Sequence, residues 1–457
     1  MSLYAELLTN IRQISLAASL PSQSDASTKV TLAADGSTVE LRHGSVVSQL
    51  TLPAKAAVGA TALPIQDKQK GTTTLSWRLP LDASSHSPRS PQHQDALPWS
   101  ATDLVPSSAT RCRHCNVVVV PAGAVKTWKD LPSENWAEMM EFWHCHKPDH
   151  RPDHDHSHGK DGDGKADERS LASRGYGASS AITAQTGVGF VDLTTLLFAE
   201  NDCENLTFSL SGYDQGATNR ESLPLNGESI LASKNRNLNI FCSSCHTQLG
   251  FFHFRTSAVT LLKWQVSCES SLAAAAPGIP ECLAATLIST MSRSGSSKTL
   301  ITPIPETIEQ TANGNLDPNA GSKPDSNTQI AIHIWLLNPS ILYTTTKQEQ
   351  IEQADQKRSQ RRQQQFRPTP AIKLLYRPIA RAAADEMLES VTCDAQEVGM
   401  PAQAIGTVIR HLEESNGLLP ETERVFRPPV LAPGKGKAAK VEWKVGLLTR
   451  TRTGTGW

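Results

Sequence analysis

The chain has 457 residues, of which 38% are hydrophobic and only 5% are aromatic. These fractions are low for a chain folded throughout, so polar stretches are expected to interrupt the packed parts. Lys and Arg together number 44 against 45 for Asp and Glu, a balance that provides no positive field for nucleic acid or for an anionic membrane surface.

The first residues, MSLYAELLTNIRQISL, lack the basic flank and the apolar block of a signal peptide. No run of about 18 apolar residues marks a membrane-spanning helix. The nine cysteines are too few for a disulfide scaffold, and their number is odd. Two CxxC pairs without a secretory signal indicate metal binding in a reducing compartment, so we expect a cytoplasmic or nuclear protein.

The first predicted elements are strands. Residues 29–53 alternate apolar and polar side chains around turn signals at Asp35-Gly36 and His43-Gly44, which predicts an antiparallel meander. The next segments are predicted to be a strand at 71–81, a loop at 84–95 and a short buried strand at 116–123.

The clearest helical pattern is LPSENWAEMMEFWHCH at 131–146. Ser133 is a good N-cap, and Glu134 favours the first turn through the helix dipole. Two Trp and two Met form one apolar stripe at helical spacing, and core packing is the ordinary interpretation of such a stripe. The following residues, 147–185, contain too little apolar surface for a core and are predicted to be a disordered insertion.

The second half of the chain is predicted to contain short strands separated by polar segments. The strand that starts at residue 328 is expected to end at a turn on Asn338-Pro339. Residues 348–365 are polar all round and predict either a solvated helix or disorder. No internal repeat is visible. The other predicted segments are a foldable stretch at 187–200, a linker at 271–327, and strands at 371–379 and 441–450.

These elements predict a β-rich α+β fold with antiparallel strands, a pair of zinc knuckles, few helices and disordered insertions. The predicted division of the chain is a β-rich zinc-containing part at 1–270, a linker at 271–327 and a C-terminal α+β part at 328–457.

The strongest chemical signal is Cys112-x-x-Cys115 together with Cys242-x-x-Cys245. A CxxC turn places two sulfurs on one side of a tight knuckle, and two knuckles fill a zinc tetrahedron without an open position. The pairs are too far apart for a compact zinc ribbon, so the second knuckle must come from a distant strand. We therefore predict one structural zinc ion that is needed for folding, rather than four unliganded buried thiols.

Weaker candidates surround this signal. His114 and His246 could each replace a sulfur, although four cysteines already complete the tetrahedron. A histidine-rich tract over 144–158 could bind metal loosely, but a solvated linker is its ordinary interpretation. Cys145 and Cys393 are candidate nucleophiles, although Cys393 has no identifiable base and a small hydrophobe at a helix end is the more common interpretation of Cys145.

Seven segments together resemble the HECT-like, E2-binding ubiquitin-protein ligase family. LPSENW followed by CH is the most specific motif, and the segments occur in the family's order over almost the whole chain outside the predicted linkers. They are CRHCNVVV (112–119), WKDLPSENWAEMMEFWHCH (128–146), FCSSCHTQLG (241–250), IWLLNPSILYTTT (334–346), AIKLLY (371–376), LLPETERVF (418–426) and WKVGLL (443–448).

The resemblance implies a protein that binds ubiquitin-charged E2 enzymes and promotes ubiquitin transfer to a substrate or to itself. Its partners would be an E2, ubiquitin and an unidentified protein substrate, with no membrane and no direct nucleic-acid contact. The term HECT-like suggests a cysteine that accepts ubiquitin as a thioester, and Cys145 ranks ahead of Cys393 for that role. An E2 adaptor without covalent catalysis fits the residues equally well.

The same family is linked to the nuclear machinery that cleaves and polyadenylates pre-mRNA. A non-catalytic adaptor or chaperone of that assembly is therefore the alternative function. A zinc-stabilised nucleic-acid binder ranks last, because charge is balanced and no basic patch alternates with aromatic residues.

Overall fold

The computed structural model describes residues 1–82, 98–131, 183–209, 237–254, 256–270, 276–304, 329–347, 368–428 and 442–451. Two compact units contain these residues. Unit 1 comprises Met1–Leu97, Ile279–Ile304 and Asn319–Trp457, and unit 2 comprises Pro98–Gly278 and Pro305–Pro318. The predicted boundaries at 270 and 328 do not coincide with this division, because unit 1 contains both the first and the last described strands.

The described residues are mostly in strands. In chain order these are β1 (Ser2–Leu8), β2 (Gln13–Ser19), β3 (Lys29–Leu32), β4 (Thr38–His43), β5 (Val46–Thr51), β6 (Thr74–Pro80), β7 (Thr110–Cys112), β8 (Val118–Val120), β9 (Thr127–Asp130), β10 (Val188–Val191), β11 (Thr195–Ala199), β12 (Leu206–Ser209), β13 (Asn237–Cys242), β14 (Gln248–His253), β15 (Ala258–Leu262), β16 (Val266–Ser267), β17 (Lys298–Pro303), β18 (Ile330–Thr345), β19 (Thr369–Ala380), β20 (Gln396–Met400), β21 (Val425–Phe426) and β22 (Trp443–Thr449). The α-helices are α1 (Ile279–Ser294), α2 (Arg381–Glu389) and α3 (Ala402–Leu418).

Unit 1 is built on a nine-stranded sheet with the order β21-β22-β19-β18-β1-β2-β6, and β17 pairs with both β18 and β20. Its pairs are antiparallel except for the parallel pair of β17 with β20. β1 and β2 are buried on both faces, because their outer side chains pack in one apolar cluster with the small sheet β3-β4-β5. This small sheet is the antiparallel meander predicted from residues 29–53, and Gly36 and Gly44 adopt positive φ in its two turns.

Two helices of unit 1 pack on one face of the large sheet. α1 and α3 both contact β22, and a Cβ added at Gly446 of β22 would lie 2.8 Å from Leu412 of α3 and 3.2 Å from Tyr376 of β19. The glycine therefore permits the close approach of helix and sheet. α2 begins directly after β19, and its Ala384 packs against Leu300 and Ala331.

Two predictions about unit 1 are wrong. The turn expected at Asn338-Pro339 is absent, since β18 continues through both residues and absorbs them in register shifts opposite β19. Such bulges allow proline inside a strand. The segment predicted to be a linker contains α1 and β17, which contribute buried residues such as Leu283 and Leu300.

Unit 2 contains a seven-stranded sheet with the order β12-β13-β14-β15-β11-β10-β9 and a three-stranded sheet with the order β16-β7-β8. All pairs are antiparallel except β9 with β10. One apolar cluster includes side chains of both sheets, among them Val119, Phe198 and Phe252. The predicted β-rich, mainly antiparallel fold is therefore confirmed.

Several predicted elements lie outside the described residues: the loop at 84–95, almost all of the helix at 131–146, most of the insertion at 147–185, and the polar segment at 348–365. Among the described residues, no helix is both long and apolar enough to cross a membrane.

Candidate metal centre

The two CxxC motifs of unit 2 form turns with the same backbone conformation. In the first turn, Asn116 donates its backbone N–H to the carbonyl of Cys112 at 2.9 Å and has a φ of 63°. In the second, His246 donates to the carbonyl of Cys242 at 2.9 Å and has a φ of 59°. Each turn joins two antiparallel strands, β7 to β8 and β13 to β14, so each cysteine pair projects from a hairpin.

The hairpins bring the four sulfurs together. The Sγ atoms of Cys112 and Cys245 are 3.6 Å apart, as are those of Cys115 and Cys242. All four lie within 4.8 Å of one another. A tetrahedral ion with sulfur ligands at about 2.3 Å requires sulfur separations of about 3.8 Å, so the donor set fits a four-thiolate metal ion. Such a centre has no open coordination position and stabilises a fold.

Backbone N–H groups surround these sulfurs in the same pattern in both hairpins. Cys112 accepts hydrogen bonds from His114 and Cys115, as Cys242 does from Ser244 and Cys245. The backbone N–H of Val117 lowers the pKa of the Cys115 thiol to about 7, whereas burial raises the pKa of Cys112 to about 12. A metal ion must displace protons from these thiols, so its affinity rises with pH.

The similarity of the two hairpins extends to a third strand. Val266 of β16 lies opposite Cys112, and Leu206 of β12 lies opposite Cys242. The residue before each of these strands accepts a backbone hydrogen bond from the residue after the first cysteine. Arg113 donates to Gln265 at 2.9 Å, and Ser243 donates to Asn205 at 3.0 Å. The centre therefore consists of two structurally repeated halves, although the sequence shows no repeat there beyond the two CxxC motifs.

The half that contains Cys112 and Cys115 has the shorter strands, and side-chain hydrogen bonds stabilise it. Arg113 donates its guanidinium to three backbone carbonyls, those of Lys263 at 2.9 Å, Val266 at 2.9 Å and Pro277 at 3.1 Å. Asn205 donates its side-chain amide to the carbonyl of Val118 in β8 at 3.0 Å. The two-residue and three-residue strands around Cys112 offer few ladder hydrogen bonds, and these side chains add to them.

Substitution of Asn205 tests whether its side-chain hydrogen bond stabilises the metal centre. Its φ of 56° suits glycine, so Asn205→Gly removes the amide without straining the backbone. Losing one hydrogen bond of about 1 kcal/mol is expected to accelerate metal release to a chromophoric chelator by roughly fivefold. Asn205→Asp is expected to accelerate release more, because a carboxylate oxygen then faces the carbonyl of Val118.

Asn116→Gly is the matched control. Asn116 also has a positive φ, but its exposed side chain makes no hydrogen bond among the described residues. If both glycine variants release metal at the wild-type rate, Asn205 has no part in holding the centre.

The structure locates the remaining candidates as follows. His114 and His246 are exposed on their turns and do not belong to the group of four sulfurs. Cys393 lies in unit 1, whereas the four clustered cysteines lie in unit 2. It is in a turn after α2, where its backbone N–H donates to the carbonyl of Ser390 at 3.0 Å. Cys145 and the histidine-rich tract lie outside the described residues.

Together, these observations define a β-rich protein in which four clustered thiols could hold one metal ion without an open coordination position. The family model described as HECT-like ubiquitin-conjugating enzyme (E2)-binding matches residues 6–429. The chain belongs to this family, which confirms the resemblance found in its sequence. The description of the family names binding of a ubiquitin-conjugating enzyme (E2).

Two fungal proteins show local similarity to the chain. Uncharacterized protein C1734.10c of Schizosaccharomyces pombe is 29% identical over 103 residues, which cover 18% of this chain and 30% of that protein. Uncharacterized protein YJR141W of Saccharomyces cerevisiae is 35% identical over 57 residues, which cover 12% of this chain and 16% of that protein. The alignments thus span less than a third of either relative. No solved structure shows significant similarity to the chain.

Proposed function

We propose that this protein binds a ubiquitin-charged E2 and promotes transfer of ubiquitin to a protein substrate or to itself, in the cytoplasm, the nucleus or both. The observation that carries the proposal is the match of the E2-binding family over residues 6–429. The transfer step, ubiquitin and the substrate belong to the proposal and go beyond the E2 binding that defines the family.

We also propose that the ion held by Cys112, Cys115, Cys242 and Cys245 is zinc. Four thiolates in a tetrahedral arrangement favour zinc or iron, and zinc is the usual ion of closed structural sites. Its contribution is to fix the two hairpins of unit 2. It takes no part in ubiquitin transfer, since a closed site has no position for a substrate.

Two routes of transfer are compatible with the proposal. In the covalent route, the sulfur of Cys145 or Cys393 attacks the carbonyl carbon of the E2–ubiquitin thioester. The new thioester forms as the bond to the E2 sulfur breaks, and the E2 thiol leaves with the proton of the attacking thiol. In the adaptor route, the protein orients the charged E2, and a substrate amine attacks the thioester directly.

A transfer assay separates these routes. Charged E2 from a panel of recombinant enzymes is incubated with wild-type, Cys145→Ala, Cys393→Ala and control Cys203→Ala protein, and gels are run with and without reductant. We expect ubiquitin transfer by the wild type with at least one E2. A reductant-sensitive adduct lost in one variant identifies the nucleophile, and transfer that survives in all variants supports the adaptor route. Absence of transfer with every E2 refutes the proposed activity.

A further inference from the structure

The nine-stranded sheet of unit 1 has a second face, on the side away from α3. Tyr376 points toward α3, where it approaches Leu412 around Gly446. Side chains alternate along a strand, so Arg377 and Leu375 point to the opposite face. The side chains linked there by ring and cation contacts form what we call the aromatic face: Lys298, His333, Trp335, Arg377, Phe426 and Trp443.

Three rings of the aromatic face meet nearly at right angles. Trp335 lies 6.3 Å from Trp443 at an interplanar angle of 70°, and 6.4 Å from Phe426 at 86°, between ring centroids. Phe426 remains 38% exposed, and among the described residues it is the one aromatic side chain with so much exposed surface. It lies in β21, one of the edge strands of the sheet.

The charge of the aromatic face is positive. The guanidinium of Arg377 lies 5.0 Å from the ring centroid of Trp443 and donates to Nδ1 of His333 at 3.2 Å, and no carboxylate of the described residues pairs with it. Burial, assisted by Arg377, lowers the pKa of His333 to about 4, so this imidazole is neutral at pH 7. Lys298 is paired with Asp394 at 2.9 Å, which leaves Arg377 as the uncompensated charge.

We propose that the aromatic face is the surface on which the E2 docks, with an apolar E2 side chain against Phe426 and Trp335 and an E2 carboxylate at Arg377. This inference rests on the proposed function. Its support is that aromatic and arginine side chains are enriched at protein interfaces and at their hot spots, and that an E2 carboxylate would complement the guanidinium of Arg377, with which no described carboxylate pairs.

The location of Cys393 agrees with this docking mode. Cys393 directly precedes Asp394, whose partner Lys298 lies 5.9 Å from the ring centroid of Trp335. An E2 bound to the aromatic face therefore lies beside the turn that carries this candidate cysteine.

The test measures binding of the same E2 panel to the full-length, metal-containing protein. Phe426→Ser is expected to weaken binding of the E2, raising the dissociation constant at least about tenfold. Arg377→Gln is expected to raise the dissociation constant severalfold at low salt and less at high salt. At high salt, screening already reduces the attraction between Arg377 and an E2 carboxylate in the wild type. Val47→Ser and Arg42→Gln are the controls: Val47 is 47% exposed and Arg42 is an exposed cation, and both belong to the separate sheet β3-β4-β5.

A second measurement covers the case in which Phe426→Ser lowers stability. A photo-cross-linking amino acid at position 426 is expected to form an adduct with the E2, and the same group at position 47 is not. If the wild type binds an E2 while both aromatic-face variants bind it equally and position 426 forms no adduct, the inference is overturned and the proposed function stands. If the wild type binds no E2, both the docking inference and the proposed function are refuted. A wild-type dimer that Phe426→Ser dissociates would assign the surface to a second copy of this chain, which also overturns the inference.

Discussion

Protein carrying Cys242→Ser is expected to lose its metal ion and the cooperative unfolding of unit 2. Cys242 is fully buried and lies on β13, with its sulfur 3.6 Å from that of Cys115. A structural four-thiolate zinc site contributes an apparent binding free energy of about 10–16 kcal/mol, which is comparable with the total stability of a domain, about 5–15 kcal/mol. Removing one thiolate should therefore lower the free energy of unfolding by several kcal/mol.

Elemental analysis and thermal melts monitored by circular dichroism measure both effects. The wild type is expected to contain one zinc per chain, and the variant only a small fraction of that. Cys268→Ser is the matched control, because Cys268 lies in unit 2 with its sulfur 3.4 Å from Oγ1 of Thr110 and outside the group of four. A Cys242→Ser variant that melts as the wild type does would show that no metal supports the fold.

Lys263→Met is also expected to destabilise unit 2 strongly. Lys263 is completely buried, and its ammonium donates to the backbone carbonyls of Pro98 at 2.5 Å, Trp99 at 2.9 Å and Leu193 at 3.4 Å. Burial of a charge is itself unfavourable, but methionine fills a similar volume and leaves these buried carbonyls without their donor. We expect the free energy of unfolding of unit 2 to fall by about 3 kcal/mol.

Denaturant unfolding of the zinc-saturated protein measures this loss as a lower midpoint. Lys126→Met is the control, since Lys126 is exposed on the same unit and its replacement should change the stability by less than about 0.5 kcal/mol. An unchanged midpoint for Lys263→Met would show that the carbonyls of Pro98, Trp99 and Leu193 find water or other donors.

The metal centre could be predicted because its information is local. Each CxxC turn determines its own geometry, and two such turns suffice to specify a four-thiolate site whatever the strands around them are. The repeat of the two halves could not be seen in the sequence. Beyond the cysteines, the similarity of the two halves depends on the backbone: on the conformation of Asn116 and His246, and on the hydrogen bonds that Asn205 and Gln265 accept. At these positions the two halves have different side chains, so the sequences do not look alike.

Strands with one solvated face were also predictable, as β3 to β6 show. β1 and β2 were missed because both of their faces are buried, which removes the alternation of apolar and polar residues that identifies a strand. The helix α1 was missed for a related reason. Its small residues resemble a low-complexity linker in composition, whereas alanine is also the best helix former, and here Ala284 and Ala285 are buried in the packed unit.

The pairing of β1 with β18, in which Tyr4 lies opposite Thr345, determines an order of events during synthesis. At about 5–20 residues per second, the ribosome needs roughly twenty seconds to a minute to reach β18 after it has made β1. The strands of unit 2 up to β16 are complete before then, so the four thiols of this unit can come together while unit 1 is still unfinished. During the wait, β1 has its partner β2 on one side and an open edge on the other. The apolar cluster of residues 3–81 gives the nascent N-terminal strands a core of their own, while the backbone groups on the open edge of β1 stay unpaired until β18 is made.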